Sequence, residues 1–301
     1  MRRGFLLLFV IILRLAGYCQ LQQTYAFNTT NFDDGWVSTI HDEWVQVDKA
    51  NVKVILHYPR PMKNHTMFPL EINTAWDTLV SDRYASLNNF KTSYISDYKH
   101  VDIAMGNVTD NNSTAKVFLV LFRRTGAGWI EVVTSSKKVF IDNFHFDPEA
   151  IRWDSNPDQT DVLANMIERN RFAIAAPDLY GTGEWRQHYS SHSFWANYYT
   201  GAYEGMSTYS SSQWFIFGKG QTYKWQLVVA NSSGGRSQFA NANGAGTFRS
   251  VNNWQLYFSQ IEGKPKTYDG YYTAVRGGRV LWLKDANYSG SGVYTGFEQK
   301  R

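Results

Sequence analysis

Cysteine is nearly missing: Cys19 is the only one in 301 residues, so no intramolecular disulfide can form and the fold must be held by its core. Charge is thin as well, at 19% against about 25% in an average protein. No block of like charge stands out, which removes the electrostatic footprint of a nucleic-acid or anionic-membrane binder. Beyond Phe5–Leu13 no apolar run approaches the length that crosses a bilayer as a helix, about 20 residues. Gly-x-Ser-x-Gly and His-Glu-x-x-His are both absent. Gly244-Ala245-Gly246 lies between strand patterns and opens no helix, so it is no phosphate cradle.

Aromatic side chains are what the chain has instead: 11 Trp, 19 Tyr and 19 Phe, within 43% hydrophobic residues. That apolar surface is ample to offset the ordering entropy that keeps polar chains unfolded.

Arg2 and Arg3, the short apolar run and the small residues Ala16 and Gly17 read as a secretory signal over residues 1–19. The expectation is export to the periplasm or surface of a Gram-negative bacterium. Tyr18 occupies the place before Cys19 where a lipobox needs a small residue, so no lipid anchor is expected.

Residues 20–170 carry 19 acids, 14 Lys or Arg and four glycines, whereas 171–301 carry 7 acids, 13 Lys or Arg and seventeen glycines. Glycine favours turns over helices, so the shift marks a change of architecture near residue 170. The first part reads as an α+β domain, an antiparallel sheet with two helices. Val52, Val54, Leu56 and Tyr58 alternate as a strand should, with further strands expected at 35–47, 98–108, 116–124 and 129–141. Helices are expected over 68–83 and 157–169. Residues 171–285 read as an all-β domain of seven or eight antiparallel strands, a sandwich or an up-and-down barrel, divided by turn signals such as Gly218-Lys219-Gly220 and Gly277-Gly278. Residues 286–301 read as a flexible tail.

Gly183-Glu184-Trp185 at the head of these strands, and Arg276 or Arg279 near their end, resemble the lipocalin-like (calycin) barrel over about 172–284. In that family a Gly-x-Trp places its indole across the closed barrel end against an arginine. The resemblance therefore implies that Gly183, Trp185 and Arg276 or Arg279 close the barrel, a cation–π contact being one way to seal an apolar end. The first part is weakly similar to PsbP-like α/β domains through Gly35-Trp36 and Trp44-Val45-Gln46-Val47. That similarity implies a partner or scaffold role.

Several chemical constellations compete with plainer readings. Asp154-Ser155-Asn156-Pro157-Asp158 has calcium-loop spacing at three positions but lacks the glycine and terminal glutamate, and reads better as a helix start capped by Asn156. Glu184, His188 and His192 recur every fourth residue, but surface histidines explain them as well, and no metal or cofactor is expected.

The leading expectation is a non-enzymatic binding protein. Its barrel would hold a small apolar or amphipathic molecule against Trp195, Tyr199, Tyr223, Trp225, Trp254, Phe258 and Trp282, with the aromatic segment 190–206 as a short helical lid. Surface carbohydrate recognition through rings such as Trp214, Tyr257 and Tyr268, or a purely structural barrel, is the alternative. A secreted hydrolase is the third reading.

Overall fold

A computed structural model describes residues 27–59, 72–86, 90–196, 203–233, 236–287 and 293–300. The leader at residues 1–19 lies outside them. The first half is a nine-stranded antiparallel sheet built from β1 (Thr29–Asn31), β2 (Val37–Ile40), β3 (Trp44–Lys49), β4 (Val52–His57), β5 (Tyr84–Ser86), β6 (Lys91–Ile95), β7 (Val101–Asp110), β8 (Lys116–Arg124) and β9 (Ile130–Thr134). The expected strand over 35–47 is thus two, β2 and β3, folded into a hairpin. The lateral order runs β1-β2-β3-β4-β9-β8-β7-β5, with β6 also paired to β7.

Alternation sorts the two faces of this sheet. Val52, Val54 and Leu56 point with Val120, Phe122 and Val132 toward Phe140 and Phe144. Leu119, Leu121 and Trp129 point the other way, toward Ala75, Trp76 and Leu79 of helix α1 (Ile72–Leu79). The expected helix over 68–83 is therefore observed over Ile72–Leu79; residues 80–83 turn the chain instead, and residues 68–71 lie outside the description.

The strand expected over 129–141 ends at Thr134, and helix α2 (Lys137–Phe144) follows it. Ser136 caps α2 by accepting a hydrogen bond from Val139 N, and His145 leaves it in the left-handed region at φ 62°. The helix expected over 157–169 is three short helical stretches, Pro157–Thr160, Asp161–Ala164 and Asn165–Arg169. Its start is capped as expected, Asn156 Oδ1 accepting from Asp158 N at 2.9 Å.

The second half is a closed antiparallel barrel of eight strands: β10 (Glu184–Ala196), β11 (Tyr203–Phe217), β12 (Thr222–Ser233), β13 (Arg236–Asn252), β14 (Gln255–Ile261), β15 (Lys264–Val275), β16 (Gly278–Asp285) and β17 (Thr295–Gln299). The stretch expected as a flexible tail instead supplies β17, which closes the barrel between β16 and β10. Gly296 makes that closure possible, because a Cβ there would meet the Trp282 ring at 2.8 Å.

Inward-facing rings fill the barrel. Phe258 lies edge-on to Tyr223 with centroids 5.0 Å apart and 5.3 Å from Phe215, which in turn lies 5.3 Å from Phe297. Trp225, Phe217 and Phe248 are also buried. The rings pack on one another in the edge-on and tilted geometries that aromatic quadrupoles favour.

The two halves meet through the segment that joins them. Phe172 and Tyr272 exchange both backbone hydrogen bonds at 2.9 and 2.8 Å. The Asn170 amide clasps Ala274, donating to its oxygen at 2.9 Å and accepting from its nitrogen at 2.8 Å. Ile174 reaches the barrel wall at Gly270, where an added Cβ would lie 2.8 Å from its terminal methyl.

Replacing Phe258 with Ala should cost about 3–5 kcal/mol, read as a lower urea midpoint at unchanged slope. A second test concerns acid. Glu149 binds Lys137 of α2 and Lys91 of β6, each at 2.6 Å, and these ammonium groups hold its carboxyl down from 4.5 to about 2. A depressed carboxylate stabilises the fold above its unfolded pKa and loses that contribution as pH falls through its folded value. Glu149→Gln should therefore flatten the loss of stability between about pH 4.5 and 2, measured by urea unfolding across that range.

Candidate functional site on the barrel wall

With the interior occupied by rings, open apolar surface is found on the outside. Strand alternation turns Tyr271 and Trp282 outward from β15 and β16, opposite to the buried Tyr272, Leu281 and Leu283. Tyr271 lies near-parallel to Trp282 with centroids 6.4 Å apart and edge-on to Tyr294 at 5.0 Å. Trp254, in the turn between β13 and β14, adds an indole that is 42% exposed. Trp254, Tyr271 and Tyr294 line one cleft of about 410 Å³, which Phe32 of the first half borders.

Its polar lining is pre-arranged. Asn252 Nδ2 donates to Gln255 Oε1 at 3.3 Å, and Gln255 Nε2 donates to Asp269 Oδ1 at 2.8 Å. Lys284 stands 3.6 Å from Asp269 Oδ2 and 5.3 Å from the Tyr294 ring. Arg171 lies over Tyr271 at 5.0 Å. Burial is the main influence raising the Tyr271 phenol, so it stays neutral, as a ring and hydroxyl able to pack and hydrogen-bond at once. The site thus combines flat ring faces, amides, one carboxylate and the Arg171 cation around an open volume, with Lys284 behind Asp269. It can hold a polar ring-shaped molecule, hydrogen-bonding its edges while its faces stack.

The residues expected from the sequence fall into separate places. Trp254 is in this cleft, whereas Trp282 is not among its lining residues and packs beside Tyr271, its Nε1 donating to Thr273 at 2.9 Å. Tyr223, Trp225 and Phe258 are buried among the interior rings. Trp195 lies on β10 in a stretch whose side chains are outside the description, and Tyr199 lies outside the described residues. The helical lid expected at 190–206 is corrected: its described residues continue β10 and β11, because their backbones pair from Glu184↔Ile216 to Ala196↔Tyr203.

Trp214 sits on β11, donating to Gln226 at 3.0 Å, and Tyr257 lies on β14 beneath Arg249. Tyr268 turns inward onto Phe258 at 5.5 Å. Gly183 adopts φ +85°, where glycine is favoured, and delivers Trp185 to the barrel end, 5.8 Å from Tyr272. Arg279 also lies over Tyr272, at 5.2 Å, whereas Arg276 is on the surface, paired with Glu43 at 2.7 Å. Among the described residues no group of three His, Cys, Asp or Glu gathers as a metal site, and Glu184 is paired with Arg186.

One polar cluster escaped the sequence reading. Glu131 of β9 is fully buried, bonded to His57 Nε2 at 3.0 Å and Arg83 at 2.5 Å. Arg83 lies over the Trp44 ring at 5.2 Å and also donates to the Leu79 carbonyl. Tyr84 beside it is pushed up to about 12 by burial first and the Glu131 charge second. The available signal was one acid inside the otherwise apolar run Ile130-Glu131-Val132-Val133. Such a carboxylate needs partners, and two come from distant β4 and the turn that follows α1.

No family model matches this chain, and no curated protein matches it.

Glu131→Ala should destabilise the protein by about 3 kcal/mol in urea unfolding at neutral pH, because it leaves Arg83 and His57 against the sheet without their carboxylate. Loss of a solvent-exposed pair would cost under about 1 kcal/mol, so the size of the change reports the burial.

Proposed function

We propose that this chain is a non-catalytic binding protein that holds a glycan in the cleft of Trp254, Tyr271 and Tyr294. The observation that carries this reading is the union of those rings with the prealigned Asn252–Gln255–Asp269 chain in one open volume of about 410 Å³. Sugars offer an apolar ring face bordered by hydroxyls. Aromatic faces take the first, and fixed amide and carboxylate groups take the second. Ordering those groups before binding lowers the entropic cost of association.

The lipocalin-like reading belongs beside this one as an account of the barrel. Trp185 and Arg279, each packed on Tyr272 at the barrel end, support it, with Tyr272 standing between the indole and the arginine that the resemblance would place in contact. An apolar molecule carried inside would have to displace rings packed as closely as Phe258, Tyr223 and Phe215. The surface cleft needs no such displacement. The PsbP-like first half fits a scaffold or partner role, with Phe32 contributing to the cleft edge. Export of the chain to a periplasm or cell surface completes the proposal, since free polysaccharide is met there.

The test is calorimetric titration of the full protein with a panel of neutral and acidic oligosaccharides. Binding should weaken at least tenfold, about 1.4 kcal/mol, in Trp254→Ala and in Asp269→Asn, while Trp214→Ala on another wall leaves it unchanged. No binding across the panel, together with a lipophilic adduct in native mass spectrometry, would overturn this reading in favour of an interior carrier.

A further inference from the structure

Strands β10 to β13 are longer than the barrel needs. β10 meets β17 only at Trp185↔Gln299 and Arg186↔Glu298, and β13 meets β14 only from Phe248 to Asn252. The rest of these four strands continues past the barrel as a ladder, from Gln187↔Gln213 to Trp195↔Gly205 and from Leu227↔Ala242 to Ser233↔Arg236. Residues of this extension whose burial is described are exposed or intermediate on both faces. It is a single layer of sheet with two edges.

Edges of this kind template further strands unless they are kept short, charged or broken by proline. The first half follows that practice: β1 and β5 have three residues each, and β6 begins with Lys91. The β10 edge does not. From Gln187 to Ala196 it holds no proline, lysine, arginine, aspartate or glutamate, and among described residues no strand pairs with its outer side. Ten residues span about 33 Å, paired with β11 on the inner side and, among the described residues, with no strand on the outer side.

The direction of these backbone groups follows from one bond. Glu184 O accepts from Lys300 N on the β17 side at 2.8 Å. In an antiparallel ladder the outward groups then belong to every second residue, so those of His188, Ser190, His192 and Phe194 face outward.

We infer that the β10 edge pairs with the same edge of a second copy of this chain, antiparallel about a two-fold axis, joining two four-stranded extensions into one continuous eight-stranded sheet. The neutral edge selects this occupant. A copy meets no like-charge repulsion along it, and a strand paired with itself closes after two members. The β13 edge is the poorer candidate. It carries Arg236, and its inner end is blocked, since Thr247 N already donates to Ser259 Oγ at 2.9 Å and a Cβ on Gly244 would lie 3.4 Å from Gln260 O.

Sedimentation equilibrium of the full protein over about two decades of concentration tests this inference, with Ser190→Pro as the main variant. Proline removes an outward N–H that takes no part in the β10–β11 ladder, so the fold should be kept. The expected result is a wild-type dimer whose dissociation constant rises at least tenfold in Ser190→Pro and is unchanged in Asn241→Pro, the outward-facing control on β13. Should circular dichroism show Ser190→Pro unfolded, Ser190→Lys replaces it, charging the edge while keeping its backbone. A monomer at every concentration, or a dimer indifferent to the Ser190 variants, would overturn the inference.

Discussion

The mutual packing of Phe258, Tyr223, Phe215 and Phe297 is the constraint on which the second half depends. Eight strands enclose an interior just wide enough for side chains, and here those side chains are rings. Two glycines adjust the wall to them. Gly246 leaves room for Tyr223, whose ring would otherwise be 3.2 Å from a Cβ, and Gly296 leaves room for Trp282 on the opposite side of the wall. A barrel packed in this way has its open cleft on the outer wall and not in its interior. The ring cleft and the projecting sheet are both on that wall.

In the first half a charged cluster lies inside the sheet, with one oxygen of Glu131 shared by two partners and the other, Oε1, buried without a hydrogen bond. Glu131 is tolerated at full burial because β4 brings His57 and the turn after α1 brings Arg83 to the same oxygen. The cluster thereby fixes α1 against the sheet at one point, while the apolar contacts of Ala75, Trp76 and Leu79 cover the remainder. Asp102 has a similar role near the edge, paired with Arg123, which lies 4.8 Å over Trp129.

Where local pattern and tertiary demand agreed, the sequence was readable. The alternation of Val52, Val54 and Leu56 belongs to a strand in the middle of a covered sheet, and the glycine-divided run after residue 210 belongs to a barrel. The segment after Ser190 misled because Trp195, Tyr198, Tyr199 and Tyr203 have helical spacing, whereas pairing with β11 holds β10 extended. The α2 helix was hidden because Val139, Phe140 and Ile141 look like the end of a strand, and the Ser136 cap is what turns the chain. β17 was obscured by its own Gly296, which marks tight packing against Trp282 here. Trp254 could be named as a binding ring, but its companions could not. Tyr294 and Phe32 are 262 residues apart, and only strand closure at one end and the connecting segment at the other bring them to one cleft.

The Asn170 clasp on Ala274 has a consequence for how the molecule bears force. A connector between halves is ordinarily a hinge, but this one is pinned at both ends: Asn170 and Phe172 are bonded to β15, and Arg169 is held by Ser38 and Asp34 of the first sheet. Tension or torque applied to one half passes directly into a barrel strand with little slack to absorb it. The cleft edged by Phe32 and walled by Tyr271 straddles that rigid joint, so its width is set by the same few bonds.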